Sequence, residues 1–303
     1  MARRLSWDRE GQDWPNRAAS RFLSAGGVDW HVQVMGQGPV CFLVHGTGAS
    51  THSWRDLMPV LAEHFTVVAP DLPGHGFSHV TDTAHLSLPG MASSLLSLLD
   101  ALNLRPAIVV GHSAGAAILI EMCLDHMISP EAIVSLNGAI MPFYGVAGQI
   151  FSPIAKMLTL NPLVPRFFAW RAEDRGVVLR LLKGTGSDLD SDGVEFYARL
   201  ARNPGHVSAA LSMMANWDLN ELKDRLPDLD VPLTLIVGGD DEMISPETAF
   251  QVKALVPRGT VQYMRRLGHL AHEQQPQAVA EKIVAVARDE MILPENLAGG
   301  AHS

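Results

Sequence analysis

A short apolar run, Ala107 to Val110, leads straight into Gly111-His-Ser-Ala-Gly115 and then into a helix-like stretch of small residues, Ala116 to Cys123. A strand can turn this sharply into a helix only where glycines flank the corner and small side chains let the helix pack close to the sheet. The feature therefore calls for a sheet with helices laid on its faces and with strand ends open for chemistry. The pentapeptide fits G-x-S-x-G, which presents a serine hydroxyl at a strand's C-terminal end. Its residue types are common in this chain, so the flanking strand and helix carry the weight. The plain alternative is a tight turn with an incidental serine.

The same alternation runs through most of the chain. Val28 to Met35, Val40 to Val44, Thr66 to Pro70, Ala132 to Leu136, Pro232 to Val237 and Val261 to Met264 read as strands. Trp54 to Phe65 reads as a helix, and Leu95, Leu98, Leu99 and Leu102 fall at helical spacing in another. Strands alternating with helices imply a mainly parallel sheet covered on both faces. Between Met141 and Leu226 the strands stop, Pro162, Pro165 and Pro204 interrupt helix-like segments, and Gly184-Thr-Gly-Ser187 forms a turn. The expected organisation is a core over 1–140, a helical cap inserted over 141–226, and the rest of the core over 227–303. Ala132 to Ala155 carries no charge and has the length of a bilayer span, but Pro142, Pro153, Asn137 and Gln149 break it into a strand, a loop and an apolar helix.

Activating a serine takes a base to remove its proton and a carboxylate to orient the base. Downstream, Gly238-Gly-Asp-Asp-Glu242 follows one strand and Gly268-His-Leu-Ala-His272 follows the next. The order Ser113, Asp241, His269 is the one expected for this kind of elbow, with Asp240 as the lesser candidate for the acid. Acyl transfer also needs donors aimed at the developing oxyanion, and the N–H groups of Ala114 and of Thr47 in His45-Gly-Thr-Gly48 are placed for it. The rival reading of that glycine turn as a phosphate cradle fails, because no G-x-x-x-x-G-K pattern is present. His45 and His75 read as braces of their turns. A lone loop histidine, His206, is a weak candidate to ligate a magnesium already held in a porphyrin.

Net charge narrows the partners. With 23 Lys and Arg against 32 Asp and Glu, no diffuse basic field exists for phosphate backbones, and nucleic acid is not expected. Cys41 and Cys123 sit in apolar runs with no disulfide or zinc spacing, which fits a reducing compartment and a cytoplasmic protein, peripheral to membranes at most. Arg3 and Arg4 are followed by acidic residues in place of an apolar core, so no signal peptide is expected. No cofactor and no structural metal site are expected.

Across almost its whole length the chain resembles the α/β-hydrolase superfamily. The residues that carry this are His45-Gly-Thr-Gly-Ala-Ser50, Asp71-x-x-Gly-x-Gly-x-Ser78, Gly111-His-Ser-Ala-Gly115, Gly238-x-x-Asp241 and Gly268-His269. The resemblance implies a mainly parallel eight-stranded sheet, helices on both faces, an inserted cap, and Ser113, Asp241 and His269 as a triad. One departure stands out: a proline often follows the acid by four residues, whereas Pro246 lies five after Asp241. More narrowly, Trp14-Pro-Asn-Arg-Ala-Ala-Ser20, Gly46-Thr-Gly-Ala-Ser-Thr-His-Ser-Trp54, Asn161-Pro-Leu-Val-Pro165 and Met214-Ala-Asn-Trp217 resemble the magnesium-chelatase accessory proteins of bacteriochlorophyll synthesis.

That narrower likeness implies work close to magnesium tetrapyrroles in phototrophic bacteria, with chelatase subunits as partners, but it supplies no reaction. The leading expectation is a serine hydrolase cleaving an ester-type bond of an apolar substrate, with a tetrapyrrole as the candidate. Two others stand beside it: a non-catalytic tetrapyrrole carrier assisting the chelatase, and a cofactor-free lyase or oxygenase on the same fold. Phe143, Phe151, Met214 and Trp217 are the expected substrate contacts. Phe167, Phe168 and Trp170 belong to the same apolar set, which is expected to face Ser113 unless it only packs cap helices together.

Overall fold

In the computed structural model, which describes residues 5–142, 161 and 163–294, nine strands form one sheet. They are β1 (Ser20–Ala25), β2 (Val28–Met35), β3 (Val40–Val44), β4 (Thr66–Pro70), β5 (His79–Val80), β6 (Ile108–His112), β7 (Ala132–Leu136), β8 (Leu233–Gly238) and β9 (Gly259–Met264). Eight follow the order β1-β2-β4-β3-β6-β7-β8-β9, and β5 pairs with β2 off that path. From β4 to β9 every neighbouring pair is parallel, while β2 runs antiparallel to β1, β4 and β5. The expected eight strands are thus nine. The addition is the two-residue β5, too short to leave a period in the sequence.

The inner strands are apolar on both sides because both sides are covered. Along β3, Phe42 and Val44 point into one core cluster and Cys41 and Leu43 into another, and β6 divides Val109 from Ile108 and Val110 in the same way. The first cluster lies under helices Leu88–Leu102 and Ala114–Leu124, and the second under Leu57–Leu61 and Pro276–Asp289. Helix Leu88–Leu102 starts on Ser87, whose Oγ accepts the Gly90 N–H at 3.2 Å, and stops at Asn103, where φ of 52° suits the left-handed residue that ends helices. Its Leu95, Leu98 and Leu99 face inward, as their spacing requires.

Edge strand β1 has no such signature. Arg21, Phe22 and Ser24 are exposed, so neither alternation nor an apolar run marks it in the sequence. Between β7 and β8 the described residues contain helices Leu163–Arg171, Arg175–Lys183, Ser191–Ala201, Pro204–Ala215 and Asn220–Arg225 and no strand. Among the described residues no helix is long and apolar enough to cross a membrane.

Candidate active site

Four adjacent parallel strands each deliver one side chain at their C-terminal ends. Ser113 follows β6, Asn137 follows β7, Asp241 lies three residues past β8, and His269 lies five past β9. Neighbouring strands are about 4.8 Å apart, so this spacing lines up four polar side chains along one end of the sheet.

Ser113 occupies the corner between β6 and helix Ala114–Leu124 with φ 51° and ψ −118°, a backbone state that a residue with a side chain rarely holds. Surrounding bonds hold it there: its N–H donates to Leu136 O at 3.0 Å, and its own carbonyl accepts from Ala139 N at 3.0 Å. The flanking glycines are required by space. A Cβ on Gly111 would lie 2.4 Å from Ala116 N, and one on Gly115 would lie 2.1 Å from Val44 O. The helix begins at Ala114, so the free N–H groups of its first turn point out of the corner. Gly46 crosses directly above, where an added Cβ would be 2.9 Å from the Cβ of Ser113, and Thr47 follows it.

The geometry separates the two aspartates. Asp241 Oδ2 meets His269 Nδ1 at 2.8 Å, and both residues are buried. Asp240 is exposed, with its backbone N–H on Leu267 O. Every lone pair that Asp241 needs is used: Oδ1 accepts the N–H groups of Met243 and Ile244 at 2.8 and 2.9 Å, and Oδ2 also accepts Asn137 Nδ2 at 2.6 Å. Four donors fix this carboxylate in rotation. With Nδ1–H given to Asp241, the Nε2 of His269 carries the lone pair of a base.

Histidines pack around that base without competing for its proton. His112 donates Nε2–H to the backbone carbonyl of His269 at 3.0 Å, and their rings are 4.8 Å apart. Burial, with His272 and His269 adding to it, holds His112 well below the usual histidine range, and burial lowers His272 to about 3. Both stay neutral near pH 7 beside any charge that develops on His269.

Part of the support comes from the helical segment. Thr185 O accepts the His269 N–H at 3.1 Å, Ser187 Oγ accepts the Leu270 N–H at 2.9 Å, and a Cβ on Gly268 would strike the Gly186 carbonyl carbon at 2.2 Å. A turn from far along the chain thus clamps the histidine loop. Asn137, Thr185 and Ser187 escape sequence reasoning because each acts through one hydrogen bond and belongs to no motif. A polar residue at the end of a buried strand, as Asn137 is, was the one available signal.

The loop bearing Thr47 is held by Asp71 and two histidines. Asp71 Oδ1 accepts the Thr51 N–H at 2.7 Å, and Oδ2 accepts from His31 Nδ1 and the Phe77 N–H, each at 2.8 Å. Burial alone would raise this carboxyl, but the His31 partner and these donors outweigh it and hold Asp71 below the usual carboxylate range. His45 bridges Gly46 O and the Leu72 N–H at 2.8 and 2.9 Å, a brace as expected. His206 does the same, receiving the Gly76 N–H at Nδ1 and donating to Gly48 O from Nε2, each at 3.1 Å. With both nitrogens engaged and the side chain buried, it has no lone pair for a porphyrin magnesium, and the weak candidacy of this histidine falls away. Among the described residues no group of three or more His, Cys, Asp or Glu is arranged to hold a metal ion.

The expected substrate contacts fare unevenly. Phe143 and Phe151 lie outside the described residues. Met214 and Trp217 are half-buried, and Trp217 packs against the first core cluster. The methionine that reaches the Thr47 loop is the buried Met213, whose Sδ accepts Thr47 Oγ1 at 3.4 Å. Phe167, Phe168 and Trp170 are 56%, 50% and 65% exposed, an apolar remainder that helix packing leaves unburied.

This elbow, carboxylate and histidine, at the ends of parallel strands in the order β6, β8, β9, define the class of the protein. A sequence profile of the alpha/beta hydrolase family matches residues 41–282, and the chain belongs to that family. It is similar to the Magnesium-chelatase 30 kDa subunit of Rhodobacter capsulatus, with 39% identity over 86% of this chain and 92% of that protein. It is also similar, at 26% identity over 86% of this chain and 93% of the relative, to a 2-hydroxy-6-oxo-2,4-heptadienoate hydrolase of Pseudomonas putida. Among solved structures, an alpha/beta hydrolase fold protein from Burkholderia ambifaria superposes with a TM-score of 0.76 at 21% identity, over 94% of this chain and all of that one. That last likeness bears on the fold alone.

Proposed function

We propose that the protein is a serine hydrolase that cleaves an ester-type bond of an apolar substrate through an acyl-enzyme. The observation that carries this reading is the 2.8 Å bond from His269 Nδ1 to a fully satisfied Asp241, at the same end of the sheet as a serine held at φ 51°. In the reaction His269 Nε2 takes the proton of Ser113 as Oγ bonds to the carbonyl carbon, and the oxyanion that forms is met by the N–H groups of Thr47 and Ala114. Collapse expels the alcohol, which takes the proton from His269. Water then repeats the sequence, its proton passing to His269 and its oxygen to the acyl carbon, and Ser113 Oγ recovers the proton. Asp241 holds the imidazole in the right tautomer throughout and stabilises its cation.

The helical stretch over 141–226 is proposed to cap the site and to supply Met214, Trp217, Phe143 and Phe151 as apolar contacts. The resemblance to the Rhodobacter capsulatus subunit supports a place beside the magnesium-chelatase reaction, and with it we propose a cytoplasmic location, a tetrapyrrole ester as substrate and chelatase subunits as partners. The same resemblance favours a second reading, in which the scaffold carries a tetrapyrrole to the chelatase and the triad is idle. Incubating the pure protein with tetrapyrrole esters and short acyl esters, with Ser113→Ala as control, separates them. Serine-dependent acid release supports the hydrolase, whereas tight tetrapyrrole binding without turnover supports the carrier.

A further inference from the structure

Helix Leu163–Arg171 is built inside out for a helix of a globular protein. Its buried residues are the small Pro165 and Ala169, while Leu163, Phe167, Phe168 and Trp170 are 62%, 56%, 50% and 65% exposed. Leu163, Phe167 and Trp170 recur at the i, i+4, i+7 spacing of one helical face, and Phe168 borders it. The rings form a continuous patch on the surface: the centroids of Phe167 and Phe168 are 5.9 Å apart, and those of Phe167 and Trp170 are 6.0 Å apart. Isolated exposed apolar residues need no explanation, but a contiguous aromatic patch marks an interaction surface.

Charge says what kind of surface it meets. The chain as a whole has 23 basic and 32 acidic side chains, yet this helix carries Arg166 and Arg171 and no acid, with Arg171 lying 5.9 Å over the Trp170 ring. The helix that follows adds exposed Arg180 and Lys183, with Leu181 67% exposed between them. The two acids nearby are already occupied: Glu173 pairs with Arg202, and Asp174 caps the following helix through the Gly176 N–H. Among the described residues no carboxylate pairs with Arg166, Arg171, Arg180 or Lys183. A local cationic surplus on an acidic protein, interleaved with Trp, Phe and Leu, is the composition of a helix lying in a bilayer interface.

We propose that helix Leu163–Arg171 docks the protein onto an anionic phospholipid bilayer, with its aromatic face in the headgroup region and its arginines on lipid phosphates. The helix packs on Pro204–Ala215, the helix whose Met213 touches Thr47, so the docked face lies one helix away from the candidate oxyanion loop. An apolar substrate dissolved in lipid would enter from that side. The docking itself does not depend on the chemistry proposed for Ser113.

The test is flotation of the full-length protein with two sets of vesicles, phosphatidylcholine alone and phosphatidylcholine mixed with phosphatidylglycerol. The expected result is flotation with the anionic vesicles only, equally for wild type and Ser113→Ala. Arg166→Gln with Arg171→Gln should weaken partitioning roughly 30-fold, about the effect of two interfacial charges. Phe167→Ser with Trp170→Ser should abolish flotation while leaving Tm unchanged. Failure of the wild type to float, or flotation indifferent to both double variants, overturns the proposal. So does a marked fall in Tm for Phe167→Ser/Trp170→Ser, which means the face is covered within the chain, or a dimer of the wild type that these substitutions disperse, which means a second copy covers it.

Discussion

The sheet end that carries Ser113 and the helix Leu163–Arg171 treat the same residue types in opposite ways. At the sheet, Phe42, Trp30 and Trp54 are fully buried and every polar group of Asp241 has a partner. In the helix, Phe167, Phe168 and Trp170 lie outside and the small Pro165 and Ala169 inside. Burial on both faces of a parallel sheet forces the first arrangement. Nothing in folding alone favours the second, since exposed aromatic rings lose the transfer energy that burial would give. The first region is therefore built for fixed geometry and the second for contact.

Substitutions on the two sides should separate accordingly, and the largest effect is chemical. Ser113→Ala should lower kcat by about 10⁶ without changing the unfolding midpoint, measured on any ester that the protein turns over. Asp241→Asn should lower kcat by about 10⁴, because a neutral amide leaves His269 free to take the wrong tautomer. Asp240→Asn, one residue away but exposed, should stay within a few-fold of wild type in the same assay. In urea unfolding, Phe42→Ala should cost about 3–5 kcal/mol through the cavity it leaves. Trp170→Ala should stay within about 0.5 kcal/mol, as surface changes do. Equal costs at those two positions would erase the contrast between the regions.

Acid should find the sheet end first. His45, His52, His75 and His112 are held below the usual histidine range by burial, and burial lowers His206 and His272 to about 4 and about 3. Each is neutral in the fold but binds a proton when unfolded below its ordinary value of about 6.5, so each contributes stability above that pH and loses it on acidification. For one histidine the slope reaches about 1.4 kcal/mol per pH unit across its window, and several act together. Glu273 works in the opposite sense: burial raises it to about 8, so its contribution is present in acid and fades as pH rises through 8. Urea midpoints should fall steeply from pH 6.5 towards pH 4, and His272→Phe should flatten that fall slightly.

How much of this the sequence disclosed follows from the same physics. Strands β3, β4 and β7 have the bounds read from their apolar runs, because strands covered on both faces are written as such runs. Edge strand β1, with Arg21 and Phe22 exposed, has no such run and no alternation. Ser113 and His269 were legible as glycine-flanked residues at strand ends. Asp240 and Asp241 could not be separated, since one residue of turn decides which carboxylate faces inward. Asn137, Thr185 and Ser187 were invisible because their roles depend on which loops meet, and the turn at 185–187 reaches His269 across more than 80 residues. For helix Leu163–Arg171, periodicity identifies the apolar face but not the direction it points.

The most direct measurement of the central claim is labelling with a fluorophosphonate, which reacts only with a serine whose proton a neighbouring base removes. Intact-mass analysis followed by peptide mapping should find one adduct, on Ser113, lost in Ser113→Ala and greatly slowed in His269→Ala. A wild-type protein that stays unlabelled, or an adduct that persists in Ser113→Ala, would contradict the assignment of Ser113, Asp241 and His269 as a working triad.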